Sequence, residues 1–231
     1  MILPPLGTEQ LTGCSTSHLV ELESGFRLHA SVVPAWQAMV EAAAEDGIEL
    51  QPVSTFRSYQ QQAHIWQQKC TGARPVYDQQ QQLVDVQQLT GWQKLEAILL
   101  YSALPGCSRH HWGTELDLFD AASARINNYQ PTLDPTEYQP GGVFALAGEW
   151  LRTEAGRFDF FLPYQHYRGG VAAEPWHLSY RPLAEQCLAT FKLADLDATI
   201  RQHPIAEQAI VLHYLPDIFQ RYSLTICEPQ Q

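Results

Sequence analysis

Pro105–Asp120 reads PGCSRHHWGTELDLFD. Through Glu115–Phe119 the residues alternate with the period of a half-buried strand, Leu116 and Leu118 on one side and Glu115, Asp117 and Phe119 on the other. Gly113 lets the chain reverse ahead of that strand, so that Asp117, seven residues beyond His110, comes back beside it. A second stretch, Glu174–Tyr180 (EPWHLSY), holds another strand candidate at 176–180 and supplies His177, with Glu174 three residues before it. A hydrolytic zinc site takes three protein ligands and keeps one position open for water. His110, Asp117 and His177 fill that count, provided the two strands are neighbours.

Outward from this core, residues 18–33 read as a hairpin turning at Ser24-Gly25. Pro34 opens a helix that Gly47 stops, and 48–54 is a short strand. A second helix covers 59–69, with Ala63 and Trp66 on its buried face. The Gln-rich stretch 73–90 reads as an insertion or mobile loop, 91–104 as a helix, and 121–142, rich in Pro, Asn and Asp, as a long surface loop. A helix at 144–154, a strand at 158–162 and a Gly-bearing connection at 163–173 follow, and from Pro182 onward the pattern is helical, with breaks at Pro204 and Pro216. Strands and helices mix without a βαβ rhythm. The expected class is α+β, a small, largely antiparallel sheet flanked by helices. No Ser/Gly/Pro-rich linker divides the chain, so 1–231 reads as a single domain with its motif core at about 50–181 and a helical extension at 182–231.

The net charge is −11 and no basic run occurs, which excludes a nucleic-acid-binding or anionic-membrane role. No apolar run reaches the ~18 residues of a membrane span. MILPPLGTEQ has no positive first region and no long apolar segment, so the chain as given is expected to be cytoplasmic, and periplasmic only if a signal was removed. Five cysteines without CxxC spacing point to reduced, buried thiols rather than a disulfide framework.

Each remaining polar residue has a chemical reading. Glu174, restrained by Pro175, can act as general base toward a metal-activated water and return the proton to a leaving amine. Arg57, between a strand and a helix, can stabilise the oxyanion of a tetrahedral intermediate. Ser108 is expected to hydrogen-bond within its turn or to a ligand, and Trp176 and Tyr180 either wall the pocket or pack in the core. His111 and Trp112 receive no chemistry.

These stretches resemble the VanY-type zinc D-alanyl-D-alanine carboxypeptidases, which share a fold with VanX dipeptidases and the hedgehog zinc domain. The family pattern S-x-H-x-x-G-x-A-x-D falls on Ser108, His110, Gly113 and Asp117; E-x-W-H falls on Glu174, Trp176 and His177; S-x-Y-R-S falls on Ser54, Phe56, Arg57 and Ser58. The resemblance implies a Zn2+ cofactor and removal of the C-terminal D-amino acid from peptidoglycan peptides. A D,D-dipeptidase, an L,D-carboxypeptidase, a wall endopeptidase and a non-catalytic zinc-stabilised binding module are the alternatives on the same fold. Glu115 departs from the family's Ala. On the Asp117 side of its strand, it is expected to bind a substrate ammonium.

Overall fold

A computed structural model describes residues 5–228; the reading of the N-terminal stretch begins on residues 1–4, outside that range. After a helical turn, α1 (Thr8–Leu11), β1 (Leu19–Glu21) and β2 (Arg27–His29) form the expected hairpin, shorter than 18–33 because the chain already enters α2 (Val33–Glu45). Then come β3 (Leu50–Ser54), α3 (Tyr59–Cys70), the small hairpin β4 (Val76–Tyr77) and β5 (Leu83–Val84), and α4 (Gly91–Leu99). A 3-10 turn, Arg109–Trp112, leads to β6 (Glu115–Asp120) and α5 (Ala121–Ile126). The rest is α6 (Ala145–Glu154), β7 (Phe160–Phe161), β8 (His177–Tyr180), α7 (Arg181–Thr190), α8 (Leu193–Gln202), α9 (Gln208–His213) and α10 (Leu215–Phe219).

The central sheet runs β3-β6-β8-β7 and is antiparallel throughout, which bears out the expected class. Pro52, which has no N–H to give a ladder, sits on the edge strand β3, beside a register shift between Pro52 and Ser54. The pleat sends Leu116, Leu118 and Leu178 into a core with Trp36 and Met39 of α2 and Trp150 of α6. Glu115, Asp117, His177 and Ser179 therefore share the other face, as the alternation in β6 predicts. A second core joins Trp66 and Cys70 of α3 and Leu95 and Ile98 of α4 to the helices beyond Pro182.

Two loop expectations are corrected. In 73–90 the β4–β5 hairpin is held by Asp78, whose carboxylate accepts from the N–H groups of Gln80 and Gln82 (2.9 and 2.8 Å). In 121–142, Asp120 caps α5 by accepting from Ala122 N at 3.0 Å. Farther on, the buried Glu137 carboxylate takes bonds from Tyr129 Oη, Thr132 N and Leu133 N. Local acceptors of this kind order a polar loop without any apolar periodicity for a sequence pattern to reveal. The helix expected over 91–104 ends at Leu99, and the strand expected over 158–162 is reduced to two residues.

Gly113 couples this fold to the chemistry. It closes the 3-10 turn at φ +71°, and a Cβ there would lie 2.5 Å from Leu19 Cδ2 and 2.9 Å from His29 N. Its carbonyl accepts from His29 N at 2.9 Å, tying the first hairpin to the turn. Gly113→Ala must add both left-handed strain and a backbone clash, so it is expected to lower unfolding stability by at least about 2 kcal/mol, read as a fall in the urea midpoint.

Candidate metal centre and catalytic cavity

Three elements deliver the cluster. His110 comes from the 3-10 turn, Asp117 from β6 and His177 from the first position of β8, directly opposite Asp117 in the register. Their candidate ligand atoms all lie within 4.8 Å of one another, and all three residues are buried. The imidazole centroids are 4.9 Å apart.

The proton positions decide what this cluster can hold. His110 Nδ1 is 2.6 Å from the carbonyl of Thr55, which can only accept, so that nitrogen carries the proton. His110 Nε2 then presents its lone pair to Asp117 Oδ2, 3.2 Å away. His177 Nε2 is 2.8 Å from the Glu115 carboxylate and donates to it, leaving Nδ1 to face Asp117 Oδ1 at 3.0 Å. Oδ1 is buried and makes no hydrogen bond. Two nitrogen lone pairs and a carboxylate thus converge with nothing positive between them, a donor set that fits zinc. In its absence a proton takes the place: burial opposes charge on His177, but hydrogen bonds and the fields of Asp117 and Glu115 outweigh it and push its pKa up to about 10.

Glu115 is corrected. It is fully buried and cannot meet a substrate ammonium. Its oxygens accept from His177 Nε2, Ser179 Oγ at 2.7 Å and Thr114 Oγ1 at 2.8 Å, and Arg109 lies 3.3 Å away. Although burial works against ionisation, Arg109 and His177 hold its pKa down at about 2. The Arg109 guanidinium lies over the Trp112 and Phe161 rings, 4.7 and 5.9 Å from their centroids. Strand alternation gave the side of Glu115 correctly, but not its depth.

Glu174 lies on the loop before β8, with Oε2 3.5 Å from His177 Nδ1. Burial, partly opposed by His177, pushes its pKa up to about 7. Arg57 is locked from both ends of its residue: its N–H donates to His110 O (3.2 Å) and its carbonyl accepts from His111 Nδ1 (2.5 Å). Its guanidinium donates to Gln62 Oε1 (2.7 Å) and Ser54 Oγ (3.1 Å) and stands 3.8 Å from Asp117 Oδ2. His111, given no role from sequence, is therefore a positioning residue; Gly106 N–H donates to its Nε2 at 3.2 Å.

Ser108, Trp176, Glu174 and Arg57 line one cavity of about 490 Å³ with the cluster. Tyr164, unnoticed in the sequence, lines it too, its ring edge-on to His177 with centroids 5.0 Å apart. Tyr180 does not: half-buried, its ring packs on Phe160 at 5.4 Å, against the core. The Gln-rich segment supplies part of the wall through Arg74, Tyr77 and Gln81.

The sequence profile of VanY, D-alanyl-D-alanine carboxypeptidase, matches residues 25–183. The chain belongs to this family. A Haemophilus influenzae protein of uncharacterised function is 44% identical over 103 residues, 43% of this chain and 70% of that protein. VanYB in complex with D-Ala-D-Ala shares the fold with a TM-score of 0.54 at 20% identity, over 83% of this chain and 86% of that one. A vancomycin-resistance D,D-pentapeptidase VanY variant solved with Zn(II) also scores 0.54, at 19% identity, over 90% and 93%.

Two outcomes follow for this VanY-family chain. Glu115→Ala leaves Arg109 buried and unpaired and frees the His177 ring, so stability is expected to fall by about 3–5 kcal/mol. Zinc affinity is expected to fall about 10–100-fold by competition titration. In metal-free protein, the Glu174 carboxyl ionises in the unfolded chain before the folded one, which removes stability as pH rises from the ordinary carboxyl value through about 7. Glu174→Gln should then be the more stable form at pH 8, by on the order of 3 kcal/mol, and lose that advantage near pH 4 in paired denaturation curves.

Proposed function

We propose that this protein is a zinc-dependent carboxypeptidase that removes the C-terminal D-amino acid from peptidoglycan-derived peptides. The observation that carries the reading is the convergence of two imidazole lone pairs on Asp117 beside a carboxyl group, Glu174, whose pKa is pushed up to about 7. Membership of the VanY family supports this choice of substrate class. His110 Nε2, Asp117 and His177 Nδ1 would hold the zinc, which supplies Lewis acidity and lowers the pKa of water.

The chain's own groups then have separate tasks. Glu174 titrates near neutrality, so it can take a proton from the attacking water and give one to the departing amine. Arg57, fixed by Gln62 and Ser54, faces the cluster with its charge already oriented for the oxyanion of the tetrahedral adduct. Thr55 O and Glu115 hold the two imidazoles in the tautomers that ligation needs. Trp176 and Tyr164 supply cavity walls that reduce water around these charges.

Zinc-loaded protein incubated with a muropeptide ending in D-alanyl-D-alanine is expected to release one D-alanine, read by mass, and to stop when the metal is chelated. Glu174→Gln should keep stoichiometric zinc and lose at least about 10²-fold in kcat. Arg57→Met should lose about 10²–10³-fold in kcat. A metal-loaded wild-type protein that releases no terminal residue from any such peptide would overturn the proposal.

A further inference from the structure

The buried face of α3 contains one cation. Tyr59, Gln62, Trp66, Lys69 and Cys70 are the helix's buried residues, and Lys69 is only 7% exposed while lining the catalytic cavity. Its ammonium makes no hydrogen bond and no ion pair with any described residue; Glu174 acts on it only at longer range, and Arg74 adds a charge of the same sign. The other cations lining this cavity's interior differ: Arg57 is tied to Gln62 and Ser54, and Arg109 to Glu115 and Ser179. Burial, with Arg74 adding to it, lowers the Lys69 pKa to about 8, which leaves it mainly charged at neutral pH.

An unpaired ammonium is costly to bury. Lys69 lies in the last turn of α3, where a cation gains from the helix dipole. That gain is available equally at the surface and does not account for burial beside the catalytic groups. Arg74 lines the same cavity from an exposed position, so positive charge extends from the interior to the rim. In a chain of net charge −11, with Glu174, Asp117 and Asp134 in the same cavity, this is the region able to receive an anion.

Taking the substrate class from the function proposed above, we infer that Lys69, with Arg74 at the rim, is the counter-ion for the C-terminal carboxylate of the peptide substrate. Glu174 lies within electrostatic reach of both Arg57 and Lys69. A peptide whose scissile carbonyl faces Arg57 and Glu174 carries its terminal carboxylate one residue farther, about 3.8 Å along the chain. Lys69 then selects peptides cut at their end over those cut internally, because an internal residue presents an amide where the ammonium needs an anion.

The test uses zinc-loaded Glu174→Gln protein, which holds the peptide uncut, and calorimetric titration with N-acetyl-D-alanyl-D-alanine and its C-terminal amide. The acid is expected to bind at least about tenfold more tightly than the amide. Adding Lys69→Met should bring the two within about twofold, while Lys69→Arg should keep the preference. Because an unpaired charge is removed, Lys69→Met should melt no lower than its parent. An acid preference that survives Lys69→Met, no preference in the parent, or a marked fall in melting temperature overturns the inference. Turnover by the wild-type enzyme is a separate readout, so a failure of the catalytic reading is distinguishable from a failure of this one.

Discussion

Asp117 faces two imidazole nitrogens that, with both rings neutral, have no protons to give it. Thr55 O fixes the His110 tautomer and Glu115 fixes that of His177, so the atoms facing Asp117 are acceptors on both sides. Repulsion of that kind is relieved by a cation at the centre or, without one, by a proton on His177. The sheet makes it unavoidable, since the β6–β8 register sets Asp117 directly against His177 and the Gly113 turn brings His110 over the same end. Shifting either strand by one residue would move the ligands into the Leu116–Leu178 core, so the hydrophobic face of the sheet and its chemical face specify each other.

Charge is arranged in depth around that centre. Behind His177 stands Glu115, behind Glu115 stands Arg109, and behind Arg109 stands the Trp112 ring. Within this chain each charged member has its partner. Glu174 and Lys69 stand outside this chain of pairs. Burial shifts both toward neutrality, and both line the cavity where a substrate is expected.

The sequence was legible where spacing alone constrains geometry. His110, Gly113 and Asp117 lie on one turn and strand, and Glu174 and His177 lie three residues apart, so their convergence needed only one strand pairing to be inferred. Misreadings occurred where depth or partners matter. Alternation put Glu115 on the site face but cannot distinguish an exposed acid from one with every oxygen occupied. Tyr180 was ambiguous for the same reason and packs against the core, away from the cavity. His111, Lys69 and Tyr164 carried no pattern at all: their roles come from contacts with Arg57 O, with the cavity and with His177, all distant in sequence.

The helices beyond Pro182 had no assignable task from sequence, and their contacts now give them one. Tyr59 Oη donates to His203 O at 2.7 Å and Trp66 Nε1 to Ala206 O at 2.9 Å, so these two bonds from the buried face of α3 end on the C-terminal segment. Trp66 and Cys70 also pack with Leu183, Leu196 and Ile218 in one apolar cluster. The face of α3 that bears Gln62 and Lys69 is thereby clamped from behind, and Gln62 in turn holds the Arg57 guanidinium. Among the described residues, the extension contributes no group to the metal cluster. It fixes the helix against which Arg57 and the unpaired ammonium are set, and rigid support of that kind decides whether a charge meets its target or relaxes away from it.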